Sequence, residues 1–523
     1  MPLTPNACAS DSAVPSTPKM TEPSPPAPVV ADTAGAAPER RLHPMSWLFV
    51  LVAQLRQFIV PLLALLVFGQ GDRNELWPLI GVGVLALFSL WQYFTYRYGV
   101  ADDALVVRSG LLERSVRVIP FARIHNVALQ QSVLHRLFDV AEVRLESAGG
   151  KKPEAEMRVL RLDDALALEA LVRRRGRDAG AAVAGAEVDA PTPLLELSTA
   201  EVLRLGLVSN RGLILVGAAF AGVSQFNREL IPQLFDRWGE ALFGWAGEHG
   251  FGPAQYVLAG TSLVLLAIVL LRVLSVVLAL LQYHGFRLSE HGRRLTVERG
   301  LAARWRTSAS RRRIQAWTLR EGLMHRWLRR RSLDVDTAVA EDQNQQRALR
   351  EVAPIATPDR CTALIDHLLP RARWDELKWQ PLPRRSWWRL WLPSVPLALL
   401  ATAVLTWHFG HAGLLALAWL PWSAFVARRH AARAAWAIGP ALVAVREGWL
   451  TRHWRFAELD KLQALHLVRS PLDRRCGTAT LWLDTAGASP MAPPLRLRFL
   501  PVAEVEAVYE RLSREVARRA LRW

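Results

Sequence analysis

The stretch VVRSGLLERSVRVIPFARIHNVALQQSVLHRLFDVAEVRLE, residues 106–146, decides the fold of this chain. Apolar and polar residues alternate on both sides of Gly110, which predicts two short β-strands joined by a turn at that glycine. Residues 132–138 form a short helical piece, and the alternation returns over residues 141–146. The stretch therefore predicts antiparallel strands with a short helix between them.

The same pattern occurs three times along the 523 residues. The copies align without a gap, and each closes with one more strand and an amphipathic helix. Such a unit predicts a small antiparallel barrel or bent sheet of the α+β class, whose open end the C-terminal helix fills. The aligned copies run from Gly110 to Leu145, from Gly300 to Val335 and from Gly448 to Leu483, and their closing strands and helices span residues 157–175, 346–369 and 495–521.

A mean hydropathy of +0.12 and 51% hydrophobic residues predict an integral membrane protein rather than a soluble enzyme. Six apolar stretches approach the roughly 20 residues that cross a bilayer, and one pair of them precedes each copy. The sixth stretch is short and contains Pro421, so the sequence leaves its full crossing open. The stretches are residues 47–69, 76–93, 205–226, 256–281, 390–409 and 412–426.

These patterns divide the chain into a tail, three transmembrane α-helical hairpins and three soluble domains. Nine prolines among the first 39 residues, with no apolar run, predict a disordered tail. The predicted boundaries are 1–42 for the tail, 43–95, 205–282 and 390–427 for the hairpins, 96–180, 283–372 and 428–523 for the domains, and 181–204 and 373–389 for the linkers.

Arginines are concentrated at one end of each hairpin, whereas residues 70–75 and 224–255 hold more acidic than basic side chains. By the positive-inside rule, both termini and all three domains face the cytoplasm. Arg56, Arg211 and Arg272 lie within spans, in the cytoplasmic half, where long side chains can reach the headgroups; a functional role is the alternative. No Asp or Glu lies inside a span, which disfavours an ion-coupled transporter.

Residues of the first copy carry a resemblance to a known family. Asp102-Asp103, Val118-Ile119-Pro120 and Leu134-His135-Arg136-Leu137 are similar to the bacterial membrane-flanked pleckstrin-homology-like (PH-like) domain family of the YdbS/YdbT type. The second copy has Ser308-Ala309 in place of Ile-Pro, and the third has Gly439-Pro440 in place of the paired acids. The resemblance implies a three-domain, multi-pass protein of the bacterial inner membrane, with PH-like domains beside paired transmembrane helices.

The second copy has a surplus of positive charge. Residues 284–380 hold 20 basic and 12 acidic side chains, whereas residues 97–204 hold 16 of each. Since a cytoplasmic leaflet is anionic, each nearby cation contributes on the order of 1 kcal/mol to attraction. We expect contact with anionic lipid or an acidic partner, the alternative being charge that only fixes orientation. The candidate residues are Arg311, Arg312, Arg313, Arg329, Arg330 and Arg331.

The sequence contains no catalytic constellation, phosphate-binding loop or dinucleotide fingerprint. His408 and His411 have no nearby Cys or carboxylate that would complete a metal site. We therefore expect no enzyme activity, no cofactor, no metal and, because the basic clusters belong to membrane-adjacent domains, no nucleic acid partner. The sequence predicts a scaffold or interaction module in bacterial envelope physiology, with membrane lipids and a membrane protein as partners. The alternative is a transporter or channel component with regulatory cytoplasmic domains.

Overall fold

The computed structural model describes residues 39–41, 43–44, 46–49, 51–52, 83–84, 87, 91, 95–101, 104–109, 115–121, 124–147, 155–178, 192–226, 229–250, 252–337, 349–487 and 492–518. The predicted disorder of the tail, most of the first hairpin and Arg56 lie outside these residues.

The first domain has the predicted order of strands and helices. Its elements are β1 (Glu39–Arg41), β2 (Arg97–Val100), β3 (Ala104–Ser109), β4 (Ser115–Pro120), β5 (Ile124–Gln131), α1 (Val133–Leu137), β6 (Val140–Ser147), β7 (Ala155–Arg161) and α2 (Leu162–Asp178). The short helix α1 begins after Ser132, whose side chain accepts a hydrogen bond from the amide of His135.

The second domain and its hairpin repeat this order after four longer helices. The elements are β8 (Thr192–Glu196), α3 (Thr199–Val208), α4 (Arg211–Phe226), α5 (Leu230–Glu248), α6 (Pro253–Tyr283), β9 (Arg287–His291), β10 (Arg294–Arg299), β11 (Arg304–Ser310), β12 (Ile314–Glu321), α7 (Leu323–Trp327), β13 (Arg331–Thr337), β14 (Glu351–Ala356) and α8 (Pro358–Leu368). Pro358 occupies the first turn of α8, as predicted.

The third domain completes the chain. Its elements are β15 (Gln380–Pro381), α9 (Trp387–Trp391), α10 (Ser394–Phe409), a 3₁₀-helix (Gly410–Ala418), α11 (Trp419–Arg433), β16 (Ala435–Ile438), β17 (Leu442–Glu447), β18 (Arg452–Glu458), β19 (Leu462–Val468), α12 (Pro471–Cys476), β20 (Thr478–Thr485), β21 (Arg496–Pro501) and α13 (Val502–Ala517).

Each domain packs two three-stranded half-sheets against each other and closes with its last helix. In the second domain Leu288 and Leu295 of one half-sheet share a core with Leu333 and Val335 of the other, and Ile365 of α8 covers them. The first and third domains have the same arrangement. The predicted α+β fold, shared by all three copies, is confirmed.

The hydrogen-bonded sheets do not coincide with the domains. The second half-sheet of the first domain continues into the first half-sheet of the second through β5 and β11, and β12 joins β18 in the same way. Two seven-stranded sheets therefore cross the domain boundaries. Gln131 lies opposite Arg304 at one junction and Glu321 opposite Arg452 at the other, which are equivalent repeat positions. Both junctions therefore have the same register.

A short strand before each hairpin pairs with the first strand after it. β1 pairs with β2, β8 with β9 and β15 with β16, all antiparallel. These strands lie in residues that the sequence assigned to the tail and to the linkers 181–204 and 373–389, so the linkers are shorter than expected. They have two to five residues and little alternation, and they become strands because an edge of the next domain is available.

Among the described residues, α6 and the 47-residue segment Trp387–Arg433 are long and apolar enough to cross a membrane. Only 11% of the most apolar 18-residue stretch of each segment is buried inside the protein, so lipid must cover the rest. The α3–α4 pair is a further candidate span, bent by 52°. The bend was not predicted, because residues 205–226 were taken as one apolar stretch; it lies at the polar residues Ser209, Asn210 and Arg211.

The segment Trp387–Arg433 is itself a hairpin. The chain reverses at Gly410, and a Cβ on Gly413 would lie 2.2 Å from the amide nitrogen of Thr406. The indole of Trp391 donates to the carbonyl of Leu420 across the two arms at 3.2 Å. Since a 3₁₀-helix rises about 2.0 Å per residue, the returning arm has about 30 Å of apolar length, as much as a bilayer core. Length therefore does not prevent the sixth stretch from crossing.

The loop expected at residues 224–255 is mostly the helix α5. Its side chains Leu234, Phe235 and Trp238 form an apolar, exposed stripe. Exposed apolar side chains at helical spacing are typical of helices that lie in a membrane interface. The sequence interpretation considered only the charge of this segment and missed its helical spacing.

Candidate functional site

The structure separates the two arginine runs that the sequence proposed as one basic face. Arg311–Arg313 form a single 3₁₀ turn at the beginning of β12. The run at residues 329–331 comes after the end of β12 and after the short helix α7 that follows it. The eight residues of β12 extend about 26 Å at 3.3 Å per residue. The two runs therefore cannot contact one compact ligand together.

Several of these arginines have partners inside the protein. Arg311 forms an ion pair with Glu290 at 2.8 Å and donates to the carbonyl of Leu368. Arg330 binds both oxygens of Glu201 in α3, at 2.7 and 2.9 Å. The guanidinium of Arg331 lies 4.9 Å from the ring centre of Trp454. Arg312 and Arg329 have exposed side chains, and for them the predicted contact with lipid or partner stays a prediction.

A groove of about 490 Å³ lies between the first two domains, beside the β5–β11 junction. His284 and Gly285 line it directly after α6, so its mouth is at the end of a membrane helix. Leu129, Leu162 and Trp305 contribute apolar walls. The charged residues lining it are Arg287, Arg299, Arg304, Arg306 and Glu298.

Carboxylates fix most of these arginines in place. Arg299 pairs with Glu351 at 2.5 Å, Arg306 with Glu298 at 3.1 Å, and Arg287 with Glu196 at 2.8 Å. Arg304 is exposed, and no ion pair within the described part of the chain involves it. Among the described residues, the groove thus holds one cation without a carboxylate partner, Arg304, beside guanidinium groups that carboxylates hold in place. Such an arrangement suits an anion.

A second cavity of about 450 Å³ shares Trp305 with the groove. It is lined by the polar side chains of Arg211 and Gln282 and by Leu278 and Leu281 of α6. An anionic headgroup among the arginines would therefore have a place for its acyl chain beside α6. These arginines were not among the residues predicted from the sequence, because they are dispersed over β9, β10 and β11 and the opposite wall of the groove comes from the first domain. Their signal was the density of arginines in residues 287–306, which follow a predicted span.

Arg211 and Arg272 bind protein groups, which corrects the expectation that they reach headgroups. Arg272 donates to the carbonyls of Leu207 and Ser209 at 3.1 and 3.2 Å. These carbonyls end α3 at the bend and have no helical partner, so the arginine satisfies them inside the span. Arg211 donates to Gln282, to Tyr283 and, at 3.3 Å, to Glu351 of β14. It therefore fastens the span to the second domain.

In each domain, a residue in or just after the short helix of the second half-sheet contacts the first arm of that domain's own hairpin. In the first domain the rings of Phe49 and His135 lie 4.3 Å apart. In the second the contact is the ion pair of Arg330 and Glu201. In the third, Arg389 of α9 binds Asp473 of α12, both with 5% of the side chain exposed. An aromatic pair and two arginine–carboxylate ion pairs thus join the domains to their hairpins. His135 and Asp473 are equivalent repeat positions, and Arg330 lies five residues after the corresponding position in the second copy.

The joint in the third domain is strongly polar. Burial disfavours the charged form of Asp473, but hydrogen bonds from Ser470, Arg389 and Thr478 outweigh it and lower the pKa of this carboxyl to about 2. Asp473 therefore remains an anion that holds the cation of the hairpin. Within the described residues, no group of three or more His, Cys, Asp or Glu side chains could hold a metal ion.

Comparison with known proteins agrees with this architecture. A family model described as a bacterial PH domain matches residues 48–176, 241–369 and 389–516. The UPF0699 transmembrane protein YdbT of Bacillus subtilis (strain 168) is 22% identical over 408 residues, which cover 73% of this chain and 79% of that protein. No solved structure matches the chain. Each matched range includes residues of a hairpin together with the soluble domain after it.

Proposed function

This chain belongs to the bacterial PH domain family, and we propose that it is a non-enzymatic scaffold of the bacterial inner membrane with its three domains in the cytoplasm. That it is a membrane protein with three PH-like domains follows from the family matches, the transmembrane relative and the apolar helices.

The observation that carries the proposal is the continuity of the sheets. Because β5–β11 and β12–β18 pair in one register, the three domains form a single row rather than separate modules on flexible linkers. The joints at Phe49, Glu201 and Arg389 fasten each domain to its own membrane helices. A row fixed to the membrane at three points holds partners at defined spacing, which is the physical task of a scaffold.

We further propose that the groove between the first two domains holds the headgroup of an anionic phospholipid. The support is the position of Arg304 in a groove at the end of α6 and the neighbouring cavity, which Leu278 and Leu281 help to line. Basic pockets at the cytoplasmic ends of membrane helices suit such headgroups.

Lipid binding by the full chain in mild detergent tests the groove. Phosphatidylglycerol should raise the melting temperature of the parent more than phosphatidylcholine does. Arg304→Gln should weaken phosphatidylglycerol binding about fivefold, since one near-surface cation contributes on the order of 1 kcal/mol. Arg312→Gln is the matched control, because it removes an exposed arginine from the same domain but outside the groove. A loss confined to Arg312→Gln would assign the lipid contact to the run found in the sequence, and equal effects of both lipids would overturn the anionic site.

Recovery of partners tests the scaffold itself. Affinity purification of the full chain from native membranes in mild detergent, followed by protein and lipid mass spectrometry, should return the same membrane or envelope proteins in repeated preparations. Recovery of lipids alone would contradict the scaffold while leaving the groove intact.

A further inference from the structure

The two ends of the row carry strands that the inner domains use for pairing. Within the row, the last strand of each first half-sheet (β11 and β18) pairs with the first strand of the preceding second half-sheet (β5 and β12). The equivalent strands at the ends are β4 in the first domain and β19 in the third. Each forms the edge of its sheet, and no strand among the described residues pairs with the outer side of either.

Side-chain exposure differs between strands that are paired inside the row and the equivalent strands at its ends. In β18, Trp454, Arg455 and Phe456 are buried, with at most 8% of each residue exposed. The equivalent residues of β4 are Val116, Arg117 and Val118, and the two valines are 50% and 53% exposed. Long edges with exposed apolar side chains are avoided unless something covers them.

The edge of β19 shows the same contrast. Its counterparts in β12, Trp317, Thr318 and Leu319, are buried, with 2–3% exposed. In β19, His466 is exposed, and Leu465 and Leu467 are half-buried. One end of the row thus presents β4 and the other presents β19, and the equivalents of these two strands pair with each other at the internal junctions.

We infer that β19 of one copy pairs with β4 of a second copy, head to tail, by repeating the internal junction. The register that both junctions share places Leu467 opposite Val116 and Leu465 opposite Val118. Cross-strand apolar pairs of this kind stabilise a sheet. A second copy is the occupant that fits, because the pairing already exists twice within one chain.

Charge complementarity supports the same register. At the β12–β18 junction Arg455 donates to Thr318 at 2.6 Å and forms an ion pair with Asp336, both partners being buried. The equivalent positions at the outer ends are Arg117 on β4 and Asp484 on β20, both exposed, and no ion pair in the described part of the chain involves either. Pairing of two copies would bring this arginine and this aspartate together.

The assembly is open, since every copy added leaves one β4 and one β19 at the ends. An interface of one strand pair is small, but anchoring in a membrane confines the copies to two dimensions and raises their effective concentration. The inference goes beyond the scaffold role and does not depend on the lipid groove.

Disulfide cross-linking of the full chain in native membranes tests the register. Cys8 and Cys476 are replaced by Ser, and Cys361 is kept because burial raises the pKa of its thiol to about 12. A chain carrying Val116→Cys and Leu467→Cys should form a ladder of dimers, trimers and larger species on oxidation. Val116→Cys with Val468→Cys is the matched control, because neighbouring residues of a strand point to opposite faces. Leu129→Cys with Arg306→Cys should cross-link within one chain and shows that the geometry permits the bond.

Charge reversal tests recognition. Arg117→Asp alone and Asp484→Arg alone should each reduce the ladder about tenfold, because like charges then face each other, and the two together in one chain should restore it. Cross-linking by Val116→Cys alone would indicate a symmetric edge-to-edge dimer and overturn the inference. Absence of a ladder while the internal pair cross-links would also overturn the inference. A ladder that appears only after residues 2–38 are deleted would overturn it as well, because the tail would then be the segment that covers β4.

Discussion

At the residue scale, the glycines that align the second and third copies are required by backbone geometry. Gly300 and Gly448 have φ angles of +115° and +87°, a region that favours glycine. A Cβ at these positions would lie 1.8 Å and 1.9 Å from the carbonyl oxygens of Ala303 and Thr451. In the second and third domains, the turn between the second and third strands of the first half-sheet can therefore be built only with glycine there.

A residue-scale prediction concerns acid stability at Asp473. Its pKa is lowered to about 2 in the folded protein, below the ordinary 3.8, so the ionised carboxyl stabilises the fold above about pH 4. This contribution, about 2 kcal/mol, is lost as the pH falls towards 2. Asp473→Asn should lower the apparent melting temperature of the detergent-solubilised protein at pH 6, and the curves of variant and parent should converge near pH 2.

Asp460→Asn is the control for this prediction, because the Asp460 side chain is 61% exposed on the same domain. It should follow the parent at every pH. A constant difference between Asp473→Asn and the parent from pH 6 to pH 2 would show that the joint with Arg389 does not depend on the charge of Asp473.

At the scale of elements, the pairing of β12 with β18 depends on a buried ion pair. Arg455 and Asp336 have 3% and 8% of their side chains exposed. Arg455→Ala should lower the free energy of unfolding by about 3–5 kcal/mol, because Asp336 would stay buried without its countercharge. Replacing both together, Arg455→Met with Asp336→Leu, should recover most of that loss. Urea unfolding in detergent, followed by tryptophan fluorescence, measures both effects.

Arg469→Ala offers the matched comparison at the surface. Its pair with Glu506 has 38% and 55% of the side chains exposed, so its loss should cost at most about 1 kcal/mol. Equal losses in Arg455→Ala and Arg469→Ala would mean that the junction opens and lets water reach Asp336.

At the scale of the whole molecule, strand pairing restricts how the chain crosses the membrane. Because β8 pairs with β9, and β15 with β16, the chain leaves and re-enters each sheet at adjacent strands. Each hairpin must therefore cross an even number of times, which agrees with the orientation proposed from the arginines.

Labelling of intact cells with a membrane-impermeant maleimide tests this topology. A thiol at Gly247→Cys, in the segment between α4 and α6, should react from outside. Gly150→Cys and the native, exposed Cys476 should react only after the membrane is opened. Labelling of Cys476 in intact cells would reverse the orientation of all three domains.

The sequence by itself determined what depends on local periodicity. Alternation of apolar residues predicted the half-sheets, helical spacing predicted α13, and runs of about 20 apolar residues predicted the spans. Gly110, Gly300 and Gly448 fixed the alignment of the copies, since the residues after each glycine match without a gap. For the same reason the α+β class and the family resemblance could be stated before any contact was known.

Only the tertiary structure decided which strand edges meet. The edge strands of the three copies are chemically similar, so no local pattern distinguishes pairing within a domain from pairing between domains. The partners of the basic side chains could not be predicted from the sequence either. Arg330 binds Glu201, which lies 129 residues earlier in the chain, and Arg272 binds carbonyls that the bend leaves without a helical partner. The groove at Arg304 exists because two domains share a sheet, and a charge count along the chain contains no information about that shared edge.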